Sequence, residues 1–317
     1  MRHKLPSAEG SRLDVDRAVA TGLFALTLLL NPSVNMLNSV GHPVDAAIRM
    51  QQAGWSYTIW RLLWPLLALQ AYQLTCVRLR HWRTTRALGW HAAATFATMS
   101  LWMAFESAAQ TPAFYGPPID LRMKVVRSSV ACGAATSLLM CLIFLGRGLV
   151  VLHEEEELGR ISSEMLPQFK LARFTFALLG GWLAALSLPA VASACTSLLA
   201  LAHVPVATSG GFWSALVVVM PMGAVIVLFT YMGPGSPAFS AGAVWGLLGI
   251  VLNTGLHHEA YANFGCCVIA GMTGSTSLLS WVQEALGEIS RKKRLQRDTE
   301  MAFHWRPHGN DDDDEYE

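Results

Sequence analysis

Long apolar runs separated by short polar segments dominate this chain. Eight of them approach or exceed the roughly 20 residues that a helix needs to cross hydrocarbon about 30 Å thick. They lie near residues 17–37, 56–77, 87–107, 126–150, 172–200, 211–232, 238–256 and 261–283. The runs are continuous and rich in Leu and Ala, without the alternation that marks membrane β-strands. The pattern predicts an all-α fold: a polytopic integral membrane helical bundle of about eight transmembrane helices. The expected organisation is a cytoplasmic tail over 1–16, the bundle over 17–283 and a cytoplasmic tail over 284–317. The first run is the weakest. Its clean stretch, Ala18 to Leu30, ends at Asn31-Pro32, and without it seven spans remain.

Punctuation inside the runs refines this picture. Pro65, Pro189 and Pro221 fall within spans, where each removes a backbone donor and can kink its helix. Pro189 divides the longest run and implies either a kinked helix or a broken one beside a cavity. Small residues four apart, Gly133 with Ser137, Gly242 with Gly246 and Ala270 with Gly274, allow close helix approach. They suit packing within the chain, or a homo-oligomer. Trp55, Trp60, Trp82, Trp213 and Trp281 lie near expected interfaces, where indole rings anchor helices. The two halves show no convincing internal repeat, which counts against many transporter folds.

Composition agrees. Apolar residues make up 53%, charged residues 14%, and the mean hydropathy is +0.37. A soluble domain carries about a quarter charged residues. The balance of 23 basic against 22 acidic residues makes no electrostatic case for nucleic-acid binding. Basic residues instead sort by loop. Arg2, Lys4, Arg12, Arg17, Arg78, Arg80, Arg83, Arg86, Arg147, Arg160, Lys170 and Arg173 fall on one side, with Arg291–Arg294, Arg297 and Arg306. That places 18 of 23 in cytoplasmic segments if both termini are cytoplasmic. The basic run Arg291–Arg297 is the expected anchor against the anionic inner leaflet. The acidic end, Asp311–Glu317, repels itself. Glu154–Glu157 is expected to extend a helix into water. Six cysteines lie in or beside spans without a metal-binding CxxC, and no Asn-x-Ser/Thr acceptor occurs.

Ionisable groups at membrane depth are costly and mark function or pairing. Arg61, Glu106 and Asn253 lie within or at the outer ends of spans, and His257, His258 and Glu259 follow the seventh. All gather in the outer leaflet. Glu106 could be a proton donor, because a carboxyl withdrawn from water keeps its proton more readily. Direct pairing with Arg61 would oppose that role and make the two a simple interhelical ion pair. Adjacent His257 and His258 diverge on a helix and do not form the i, i+4 zinc pair, so no metal is expected. One of them, or Glu259, could relay a proton. No motif calls for a cofactor, and the absence of lysine from the spans excludes a retinal Schiff base.

Three functions remain. The first is an enzyme acting on a lipophilic small molecule in the outer or lumenal leaflet, with acid/base chemistry like that of terpenoid cyclases. Small all-helical membrane cyclases share this architecture; the analogy rests on no motif. Glu106 would protonate an alkene or epoxide, and His257, His258 or Glu259 would take the final proton. Arg61, Trp64, Trp102 and Asn253 would bind substrate, the indole faces of Trp60, Trp64 and Trp102 stabilising a cation. The second is a proton-coupled transporter using kinked helices and Glu106. The third is a non-catalytic subunit of a larger membrane complex.

Overall fold

The computed structural model describes residues 58–75, 83–109, 120–158, 166–202, 237–252 and 260–304, with Gly22, Val219, Gly223 and Ile226. Among the described residues the fold is all-α. Six helices run in the order α1 (Trp60–Thr75), α2 (Arg83–Ala109), α3 (Leu121–Glu157), α4 (Leu166–Leu201), α5 (Pro237–Val251) and α6 (Ala260–His304). The expected first span, apart from Gly22, and most of the 211–232 span lie outside the described residues.

Among the described residues two helices are long and apolar enough to cross a membrane: α3 over Leu121–Glu156 and α4 over Leu166–Leu201. In each, 44% of the apolar window is buried, and exposed apolar side chains remain, among them Met140, Ile143 and Val150 on α3 and Leu198 and Leu199 on α4. Shorter apolar helical stretches cover Pro237–Val251 and Phe264–Leu279.

Helix ends extend beyond the apolar runs. α3 starts five residues before its expected span because Asp120 caps it. The Asp120 backbone is extended, and its carboxylate accepts from the Met123 N–H at 2.8 Å. At the other end Glu154–Glu157 continue the helix as expected, and the Leu158 N–H closes the last turn on the Glu154 carbonyl at 3.0 Å. Four acids at a helix C-terminus oppose its dipole. Glu156 is compensated by an ion pair with Arg173 of α4.

α4 is the hub. It packs against α1, α3 and α5, while α2 lies on α3 and α6 on α5. Every residue from Thr175 to Leu188 is buried, as expected of a helix that is apolar on all sides. Pro189 does not break it: the helix is continuous to Leu201. Neighbour directions follow from named contacts. Gly133 faces Phe105, and the Cys141 thiol donates to the Thr95 carbonyl at 3.5 Å, so α2 and α3 are antiparallel. Ser128 donates to the Ser197 carbonyl at 3.0 Å, far from the Glu156–Arg173 pair, so α3 and α4 are antiparallel too.

The tightest crossing is between α4 and α5. A Cβ on Gly181 would strike the Phe239 carbonyl and the Ala243 nitrogen, and one on Gly242 would strike the Leu178 carbonyl and the Trp182 nitrogen. Only glycine permits backbones this close. Hydroxyls inside these helices mostly satisfy themselves: Thr95, Ser100, Ser137 and Thr175 each donate to the carbonyl four residues back.

Candidate functional site

Glu106 sits in the last turn of α2, three residues before its end at Ala109. The helix positions it through its apolar neighbours. Trp102, one turn earlier on the same face, is 7% exposed, and Met99 and Met103 are buried with it. Phe105 lays its ring over Gly133 of α3, where a Cβ would come within 2.5 Å of the ring. A small residue on α3 thus lets the end of α2 dock closely.

The Glu106 side chain is half-buried at the surface of this packing. The Trp102 indole N–H lies beside its carboxyl but falls short of hydrogen-bond geometry, and it meets no other acceptor among the described residues. Glu106 has no ion-pair partner among the described residues; the salt bridge found there joins Arg173 to Glu156. A carboxyl beside an indole, without a fixed cation, can give or take a proton without first breaking a salt bridge.

Arg61 occupies a different setting. It is exposed on α1, and α1 packs chiefly on α4. The alternative of an Arg61–Glu106 ion pair is not realised among the described residues. The reason is angular: successive helical residues point about 100° apart, so burying Trp60 turns Arg61 outward. Trp60 and Trp64 share the buried face, stacked with ring centroids 4.9 Å apart and planes inclined by 22°. Trp60 and Trp102 belong to one contiguous apolar core, and Trp64 packs against it. That core runs through all six described helices, and α1 and α2 are not a closely packed pair, so of these indoles only Trp102 is placed beside Glu106. Asn253, His257, His258 and Glu259 lie outside the described residues.

Sequence reasoning did not single out Phe105, whose contact with Gly133 sets the position of the α2 end. The clue was present: Gly133 was already marked as a close-approach site, and a large residue must fill the space it leaves. No group of three or more His, Cys, Asp or Glu side chains suited to holding a metal occurs among the described residues. Cys132, Cys141, Cys195, Cys266 and Cys267 are free thiols. No protein-family model, curated protein or solved structure matches this chain.

Proposed function

We propose that the chain is a multi-pass membrane enzyme acting on a lipophilic small molecule from the outer or lumenal leaflet by acid/base chemistry. In this reading the bundle covers 17–283 in about eight spans, with both termini cytoplasmic. Outward-facing apolar surface on α3 and α4 supports the membrane setting. So does the sense of the neighbouring helices. Val219 faces Gly265 and Gly223 faces Ile269, so the chain through 219–223 runs in the same direction as α6. A sixth and an eighth span should do so.

The observation that carries the enzymatic reading is Glu106, a half-buried carboxyl without an ion-pair partner among the described residues, beside Trp102. Glu106 donates its proton to an alkene or epoxide of the substrate, and the indole faces of Trp60, Trp64 and Trp102 stabilise the cation formed. A base from His257, His258 or Glu259 then removes a proton from the product cation. Arg61 and Asn253 contact polar groups of the substrate at the outer surface. No cofactor or nucleic acid takes part. Small-residue helix faces leave room for a homo-oligomer or a larger membrane complex.

The test is an untargeted small-molecule profile of cells with and without the gene, taken separately from cells and medium. A lost product with an accumulating precursor is expected, and Glu106→Gln should reproduce it with normal protein levels. General acid catalysis contributes about 10²–10⁴-fold, so product formation should fall by at least that lower factor. Redistribution of one unchanged compound between cells and medium would sink the enzyme reading in favour of transport. No change in either fraction would favour an accessory subunit.

A further inference from the structure

α6 is longer than any single crossing requires. Its 45 residues extend about 68 Å at 1.5 Å per residue, against about 30 Å of hydrocarbon and about 40–45 Å of whole bilayer. The helix continues without a break through the end of the expected span at 283 into the basic run. Its two ends therefore stand in different solvents, and its surface should record where one gives way to the other.

One face does. Phe264, Val268, Gly271, Ser275, Leu279, Val282, Leu286 and Ile289 are all exposed. At 100° per residue they fall within an arc of about 100°. From Phe264 to Ile289 this stripe is about 38 Å long, so it outruns the hydrocarbon by less than two helical turns. Leu286 and Ile289, 59% and 51% exposed, then lie at headgroup depth. The next two residues on the same face are cations, Lys293 and Arg297, and both are exposed. Trp281, also exposed, stands at the changeover, where an indole is most stable.

We infer that the cytoplasmic end of α6 is a binding surface for anionic lipid headgroups, with Leu286 and Ile289 seated at the boundary of headgroups and acyl chains and Lys293 and Arg297 on the lipid phosphates. Charge complementarity selects this occupant. An apolar stripe ending in cations on one face matches hydrocarbon followed by phosphate, and the acidic headgroup adds a second negative charge. A second copy of the chain packed on the same face would bring Lys293 and Arg297 against their own equivalents. The inference rests on the membrane setting of the proposed function, though not on its chemistry.

The experiment uses the full-length protein in nanodiscs of mixed phosphatidylcholine and phosphatidylserine. Chain-labelled spin probes of each lipid report the fraction immobilised by protein. Immobilised lipid should be enriched in phosphatidylserine. Each basic residue near an anionic surface is worth about fivefold in binding, so Lys293→Gln and Arg297→Gln should each lower selectivity at this surface by about that factor. Lys293→Arg should retain it, and salt should weaken it. Equal selectivity in wild type and the double variant overturns the inference, as does a pair of protomers joined along Leu286 and Ile289 without lipid selectivity. Extraction of the protein from cell membranes by alkaline carbonate overturns the membrane setting itself, a result distinguishable from loss of selectivity alone.

Discussion

Glycine at two positions governs how closely the hub helix can be approached. At Gly242 and Gly181 the atoms in the way are backbone, which cannot rotate aside as a side chain can. Gly242→Ala should therefore push α5 off α4 and lower the stability of the purified protein by about 1–3 kcal/mol, the range for overpacked cores. Gly271→Ala is the matched control. Its Cβ would meet nothing within 4 Å, so the helix gains up to about 1 kcal/mol from the better helix former. Tryptophan fluorescence during thermal unfolding in detergent separates the two, and equal midpoints would contradict the crossing. The Gly242–Gly246 spacing marked a close contact in the sequence, but not with what. Its partner carries the same spacing, Ala177 with Gly181 and Gly181 with Ala185, but such a spacing does not say which helix lies opposite. The same limit applies to the candidate site. The place of Glu106 at the end of a helix was legible from hydropathy, whereas the outward turn of Arg61 depends on which face of α1 buries Trp60.

Helices, unlike their ends, were legible because a continuous apolar run of this length has few other folds. Each described helix overlaps an expected span, but α2, α3, α4 and α6 continue into polar sequence. Hydropathy sees the solvent change, whereas a helix stops where its backbone groups find other partners, as at Asp120 and Leu158. The solvent around α3 can be tested on its outer face. Ile143, 53% exposed, lies near the middle of the helix, and Val125, 44% exposed, lies in its second turn. In a bilayer Ile143→Arg should cost about 2.5–3.5 kcal/mol, while Val125→Arg should cost little because its guanidinium reaches the headgroups. In water both would be tolerated alike. The yield of folded protein extracted from membranes is the measure, and a large loss for Ile143→Arg alone is expected.

At the scale of the molecule, direction ties the elements together. α2, α3 and α4 alternate, and the chain through 219–223 follows the sense of α6. In the proposed reading charge sets the absolute orientation. The sequence over 78–86 and 160–173 carries basic residues, and so does the end of α6. A chain that put these segments outside would move most of its cations across the membrane, against the bias that sets topology. The segment 38–55 and the α2–α3 connection would then be outside. Because no Asn-x-Ser/Thr acceptor occurs naturally, engineered acceptors can be read without background. An acceptor in 38–55 should be glycosylated in microsomes, and acceptors in the first sixteen residues and after residue 304 should stay unmodified. Modification at the N-terminus with none in 38–55 would place the first sixteen residues outside and 38–55 inside. That pattern would reverse the first crossing, remove the basic N-terminal tail from the cytoplasm and leave Glu106 without its expected outer-leaflet position unless a later span were lost as well.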